Sequence, residues 1–362
     1  MKIMHILWGL KYGGAENMLV DIINRQCLTH AIEVVLINNN AEKDLLKQID
    51  SSINITRINR PLKTKNFFYI LKLNLHILFS RADIIHFHQE NIIRYLPVRF
   101  LKRNLCLTVH GILMNIPEVK QFRFVFAISD KVKEEVLRKT GKEAVLVPNG
   151  VDIQSFNRKK EHNLDCFRIV QIGRLDHLYK GQHLTLMALH YLINNYNYTK
   201  IHLDIIGEGE SEKYLKELTT NLNINAYVTF LGNCTKEFIR ENLTYYELLV
   251  QPSLLEGFGL TIVEAMSAMT PTLISNVDGM QMISKNGELS YTFQSGDAND
   301  LAEKMIAIIR LPEMDKKALI SKAYNYASSH FDIAVTANNY LKNYEMILSN
   351  TKKRKRHENS DT

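Results

Sequence analysis

Two glutamates, Glu256 and Glu264, bracket the stretch EGFGLTIVEAM at 256–266, which also holds Gly257 and Gly259. Carboxylates accept hydrogen bonds from sugar hydroxyls or a ribose diol. Glycines let a bulky ligand reach the backbone. The apolar run after them has the character of a helix. Its first N–H groups, unpaired within the helix and at the positive end of its dipole, favour a phosphate. Glu256 stands just ahead of those donors, and Glu264 about one turn inside the helix. A lone stretch of this kind also fits an ordinary glycine-led helix start with two solvated acids. The basic pair Arg174 and Lys180, in GRLDHLYKG at 173–181, favours a site, because it supplies the charge that neutralises a diphosphate.

Such loops need a scaffold. Short apolar runs alternate with amphipathic stretches, the pattern of parallel sheets wrapped by helices. KIMHILW, IEVVLIN, DIIHFH, LCLTVHG, FVFAIS and AVLVPNG read as strands of a first half. FRIVQIGRL, IHLDIIGEGE, YVTFLG, YYELLVQPS and PTLIS read as strands of a second. Between the halves, VDIQSFNRKKEHNLD at 151–165 is polar and aperiodic, so it reads as a linker with a hinge near 150–163. The expectation is an α/β chain of two Rossmann-like, doubly wound domains facing across a cleft. The chemistry-bearing residues fall at strand ends: Gly13 and Gly14, His86 and His88, His110, Arg174 and Lys180, Gly207 and Gly209, Glu256. Open parallel sheets bind ligands there.

Composition bounds the partners. At 362 residues with 46% apolar content, the chain can bury two cores. No run approaches the ~18–20 apolar residues of a membrane span. The N-terminus lacks a signal-peptide pattern. Cys27, Cys106, Cys166 and Cys234 form no CxxC pair, which argues against a zinc site or disulfide framework and for a cytoplasmic protein. Part of the net charge of +7 lies in the tail KKRKRHENSDT. That run reads as a solvated tail, with attraction to an anionic membrane as the alternative. It has no interleaved aromatics, so nucleic acid is excluded. GLKYGGAE does not fit the GxGxxG fingerprint of a dehydrogenase.

Three weaker features stay open. His86 and His88 share one side of a strand with no third metal ligand evident, which favours packing or lining of an acceptor site over a metal. His5 reads as a satisfied core histidine. FFYILKLNLHILFS at 67–80 reads either as a core helix or, with Arg94, Arg99, Lys102 and Arg103 of the 92–104 segment, as a basic apolar membrane surface.

Five motifs in order, GGAE at 13–16, TVHG around His110, VPNGVD at 147–152, GRLDHLYKG and EGFGLTIVEAM, resemble the retaining family-4 glycosyltransferases of the GT-B fold (glycosyl transferases group 1). The last carries the family's E-x7-E signature. The resemblance covers nearly the whole chain. It implies domains at 1–155 (Rossmann-like, acceptor side) and 156–330 (Rossmann-like, nucleotide-sugar-binding), a helix at 331–350 crossing back to the first, and a basic disordered tail at 351–362. It implies that Gly14 approaches the donor's diphosphate, that Arg174 and Lys180 hold it with the amides of Gly259 and Leu260, and that Glu264 binds the ribose. His110, Glu256, Gly257 and Phe258 would meet the donor sugar, with His110 and Glu256 as the catalytic residues. Many relatives carry an acid where this chain has Gly111, so no acid–base role passes to that position. No D-x-D triplet is present, and cations with helix N-termini stand in its place, so neither metal nor cofactor is expected. The resemblance implies a hexosyl- or N-acetylhexosaminyltransferase that takes a nucleotide sugar, UDP-linked rather than GDP-linked. The acceptor would be a glycan or polyprenyl-diphosphate-linked glycan of bacterial surface polysaccharide (O-antigen, lipopolysaccharide or capsule), met at the inner face of the cell membrane through peripheral contact. The alternatives are a nucleotide-sugar epimerase or hydrolase on the same fold, or a silent sugar-binding protein.

Overall fold

A computed structural model describes residues 1–11, 13–97, 104–112, 114, 116–158 and 166–360, without the side chains of 352–360. The chain forms two compact units, Met1–Gly150 with Ile333–Thr362, and Val151–Asp332.

The first unit is a seven-stranded parallel sheet. Its strands are β1 (Lys2–Leu7), β2 (Ala31–Asn38), β3 (Asn54–Arg60), β4 (Ile84–Phe87), β5 (Leu105–Val109), β6 (Phe124–Ala127) and β7 (Val145–Leu146). Their order is β3-β2-β1-β4-β5-β6-β7. β1, β2, β4 and β5 are apolar runs because helices cover both faces of such a sheet. β3 escapes a reading by apolar runs. It is the edge strand, NITRINR, and only Ile58 in it is buried. The helix Phe68–Phe79 is two-faced: Ile70, Leu73 and Ile77 are buried, while Phe68, Leu71, Leu75, Leu78 and Phe79 are exposed. It is thus a core helix and an apolar surface at once. Arg94 pairs with Glu118; Arg99, Lys102 and Arg103 lie outside the described residues.

The helix Ile333–Ser360 belongs to this unit and packs on the helix Gly14–Gln26. Tyr340 and Tyr344 on it are buried. Thr336 donates from its hydroxyl to the Pro148 carbonyl at 3.0 Å. The expectation of a disordered tail from 351 is corrected, since the helix continues to Ser360. No glycine or proline interrupts it, Lys and Arg are good helix formers, and cations suit a helix C-terminus.

The second unit is a six-stranded parallel sheet. Its strands are β8 (Phe167–Ile172), β9 (Ile201–Ile206), β10 (Val228–Gly232), β11 (Leu248–Gln251), β12 (Thr272–Ser275) and β13 (Tyr291–Phe293). Their order is β10-β9-β8-β11-β12-β13. Ile169, Leu203, Leu248, Val250 and Leu273 from the strands pack with Leu189 and Leu192 of the helix Gln182–Tyr196. β13, three residues long, is too short for a periodicity signal. The linker reading of 151–165 also needs correction. Val151 bridges to Asp332, and Ile153 and Phe156 are buried, so 151–158 is structured; 159–165 lies outside the described residues.

In each sheet the chain reverses direction once, between β1 and β4 and between β8 and β11. The two loops that leave a parallel sheet at such a point diverge and open a crevice at the strands' carboxyl ends.

Candidate functional site

At the switch point of the second sheet, the chain leaves β8 at Gly173, passes Arg174 and the short helix His177–Lys180, and turns at Gly181. Gly181 has φ of +65°, and a Cβ there would stand 2.0 Å from the Pro252 carbonyl oxygen. Only glycine fits both demands. Pro252 follows β11, so this contact clamps the two loops that flank the switch point. The amides of Leu254 and Leu255 complete the clamp by donating to the Tyr179 carbonyl, at 2.8 and 3.2 Å.

The clamp brings two predicted residues together. Lys180 Nζ donates to Glu256 Oε2 at 2.5 Å. The Ser253 hydroxyl donates to the same oxygen at 3.3 Å, and the Gly257 amide to Oε1 at 3.2 Å. The Lys180 and Glu256 side chains are 24% and 13% exposed, so the pair is mostly desolvated yet open to a ligand. Arg174 does not join it. Its side chain is 70% exposed and bonds Asp176 at 3.1 Å.

Gly259, with φ of +99°, caps the helix Leu260–Ser267. Phe258 is buried, edge-on to Phe331 at 5.6 Å, so only its backbone is available to a ligand. Glu264 is half-buried one turn along the helix. Ser253 and Gln251 were not foreseen. Gln251 donates to the Ser253 hydroxyl at 2.9 Å, which orients it toward Glu256. The available signal was a glutamine and a serine closing the apolar strand LLVQPS.

In the first unit, Gly14 opens the helix that follows β1, and His110 follows β5. His110 heads a row of imidazoles. Its Nε2 lies 3.4 Å from His88 Nδ1, and His88 Nε2 lies 3.1 Å from His5 Nδ1. His5 Nε2 meets Gln26 Oε1 at 2.9 Å. Both His5 nitrogens therefore have partners, as expected of a core histidine. His86 stacks on His88 at 4.7 Å and bonds Tyr344 and, at 2.8 Å, Thr108. Burial lowers all four histidines: His5 and His110 to about 4, His86 and His88 well below their usual value. Ligand atoms of His5, His86 and His88 lie within 4.8 Å of one another. His5 is thus the third partner that the spacing of His86 and His88 did not reveal. The four cysteines are unpaired.

Two doubly wound sheets in one chain, each presenting polar loops at its switch point, place the protein in the GT-B class of group-transfer enzymes. Residues 12–155 match the profile described as Glycosyltransferase Family 4, and residues 152–326 the one described as Glycosyl transferases group 1. The chain belongs to the family-4 glycosyltransferases. It is 23% identical over 288 residues to a phosphatidyl-myo-inositol mannosyltransferase of Mycobacterium leprae (strain TN), covering 75% of each chain. Among solved structures it is similar to Anabaena HepE in complex with UDP and glucose, at TM-score 0.79 and 21% identity, covering 96% of this chain and 100% of that one. It is also similar to the lipopolysaccharide outer core galactosyltransferase WaaB, at TM-score 0.68 and 18% identity, covering 96% and 99%.

Proposed function

We propose that this glycosyltransferase moves a hexose, with retention of its anomeric configuration, from a UDP-linked donor to a lipid-linked glycan acceptor in bacterial surface polysaccharide assembly. The observation that carries the reading is the Lys180–Glu256 pair, clamped at a switch point beside the glycine-capped helix Leu260–Ser267. The cation and the helix N-terminus suit the diphosphate. The carboxylate suits the sugar hydroxyls, Glu264 suits the ribose, and Arg174 is free to swing from Asp176 onto a phosphate. The HepE complex with UDP and glucose supports the donor. In transfer, the acceptor oxygen bonds to the anomeric carbon on the face the leaving diphosphate vacates, and a phosphate oxygen takes the acceptor's proton. Lys180 and Arg174 provide the charge stabilisation a metal would otherwise give, so turnover needs none.

The lipid-linked acceptor is supported by the mycobacterial relative, a phosphatidyl-myo-inositol mannosyltransferase, and by WaaB, a lipopolysaccharide outer core galactosyltransferase. It is also supported by the exposed face of Phe68–Phe79, bordered by exposed Lys63, Lys65, Lys72 and Arg81. An apolar face ringed by cations fits the interface of an anionic bilayer. The contact we propose is peripheral, at the inner face; among the described residues, no helix is long and apolar enough to cross a membrane.

The test is a thermal-shift panel of UDP- and GDP-sugars on the full chain, followed by transfer to a polyprenyl-diphosphate-linked sugar with the anomer read by NMR. Ligand binding to the native state raises stability. Stabilisation by a UDP-sugar and a retained anomer are expected. No response to any UDP-sugar, an inverted product, or equal donor turnover without acceptor would each overturn the reading.

A further inference from the structure

Gln26 is completely buried at the last turn of Gly14–Gln26, a helix whose inner face is otherwise Met18, Leu19, Ile22 and Ile23. A buried amide costs stability unless it is hydrogen-bonded, and its side-chain oxygen is used by His5. We infer that Gln26, acting through His5 and His88, sets the ring tautomer of His110, with the proton on Nε2 and Nδ1 left bare as an acceptor for a donor-sugar hydroxyl. The inference rests on the reading that His110 meets the donor sugar.

The reasoning follows the protons. An amide oxygen can only accept, so His5 Nε2 donates to it across 2.9 Å. A neutral imidazole carries one proton, so His5 Nδ1 is bare and accepts from His88 Nε2 across 3.1 Å. His88 Nδ1 is then bare and faces His110 Nε2, which donates over a longer 3.4 Å. The other nitrogen of His110, Nδ1, is enclosed and has no protein partner among the described residues. Burial keeps these rings neutral near pH 7, so the rule of one proton per ring applies along the row. His86 is not in this chain. Its nitrogens face Tyr344 and Thr108, so Thr108 and Tyr344 do not bear on His110.

The consequence for substrate is specific. A bare nitrogen repels carboxylate and carbonyl oxygens and welcomes O–H. Nδ1 is enclosed, so a donor sugar meets it only once the ring is uncovered; the group it then meets is a hydroxyl, and donors that place an acid or a missing oxygen there are disfavoured. Gln26, His5 and His88 are positioning residues; only His110 touches substrate. A metal held by His5, His86 and His88 would need bare nitrogens where the row needs N–H groups, so the two arrangements exclude each other.

The experiment uses the full chain with isotope-labelled histidine nitrogens, whose NMR signatures report which nitrogen of each ring is protonated at neutral pH. His110 is expected as the Nε2–H tautomer. In Gln26→Leu the terminal acceptor is gone, and His110 should become a mixture of tautomers. Then kcat/KM for a UDP-sugar should fall about three- to tenfold, the scale of one neutral hydrogen bond, while affinity for UDP itself is unchanged. His88→Phe cuts the row nearer its end and should reproduce the mixture, and Thr108→Val should leave His110 alone. An Nδ1–H tautomer in the wild type, a tautomer indifferent to both Gln26→Leu and His88→Phe, or one zinc bound stoichiometrically to the purified chain would each overturn the inference. If Gln26→Leu does not fold, the wild-type and His88→Phe spectra decide. Because tautomers are read without substrate, a correct row in a protein that binds no UDP-sugar would defeat the functional reading and the sugar contact, and leave the tautomer relay standing.

Discussion

The Lys180–Glu256 pair makes a prediction that runs against simple additivity. At 2.5 Å and an effective dielectric of about 20, the gross attraction is roughly 6–7 kcal/mol. Desolvation of two mostly buried charges takes back several kcal/mol. The net value should be the ~1.5–3 kcal/mol of a charge-assisted hydrogen bond. Lys180→Met should therefore destabilise the chain by about that amount, because it also strands Glu256 in a mostly buried place. It should weaken UDP binding by a similar energy, roughly 10- to 150-fold. Glu256→Gln should act oppositely on UDP. In the unliganded chain the carboxylate competes with the diphosphate for the same ammonium group, so removing it should leave UDP affinity unchanged or tighten it, while turnover collapses. The double mutant should bind UDP as weakly as Lys180→Met and recover part of its stability. Calorimetric titration with UDP and equilibrium urea unfolding of all four proteins complete the cycle. A Glu256→Gln protein that loses as much UDP affinity as Lys180→Met, or a coupling energy under about 0.5 kcal/mol, would refute the idea that Lys180 is shared between the carboxylate and the phosphate.

Other outcomes are expected. Glu264→Gln should weaken UDP binding even without the sugar and raise KM more than it lowers kcat, since ribose binding is uniform across the reaction; an intact UDP affinity would remove Glu264 from the ribose. Turnover should persist in excess chelator, and activity that disappears and returns with magnesium or manganese would show that Lys180 and Arg174 do not suffice. Flotation with anionic vesicles should capture the wild type and lose the triple variant Phe68→Ser, Leu71→Ser, Phe79→Ser, with high salt weakening capture; equal capture of both would rule out that helix face. Stability should also fall with acid. Burial holds His5 and His110 at about 4 and His86 and His88 well below 6.5, so the unfolded chain binds more protons as pH drops below 6.5. Their contribution is full above 6.5 and lost toward 4, by about 1.4 kcal/mol per pH unit for each ring; a urea midpoint that does not move between about pH 7 and pH 5 would contradict it.

Much of the scaffold is legible along the chain because a parallel sheet covered on both faces needs continuous apolar strands. KIMHIL and FRIVQI carry that demand openly. The edge strand β3 and the three-residue β13 do not, since one is half-exposed and the other too short. The loops were legible for a related reason. Glycine, histidine, arginine, lysine and glutamate closing apolar strands stand out against their surroundings, and EGFGLTIVEAM carries its own helix start and acids. The basic tail illustrates the opposite case. Its charge suggested solvation, yet charge alone does not stop a helix that already has momentum from Tyr340 and Tyr344 packing beneath it.

The sequence by itself determined which side chains are offered, and at which strand ends, because local patterns of burial and conformational freedom are written residue by residue. Only the tertiary structure decided which of them meet. Lys180 and Glu256 are 76 positions apart, and nothing in either loop states that Gly181 will close on Pro252 and set one charge on the other. His5 reaches His88 because β4, far along the chain, lies against the side of β1 that β2 leaves open, and Gln26 enters the row because its helix returns beneath that sheet. Strand order and loop closure are long-range choices, made by the packing of whole faces. They convert separately placed imidazoles, amides and charges into directed hydrogen bonds.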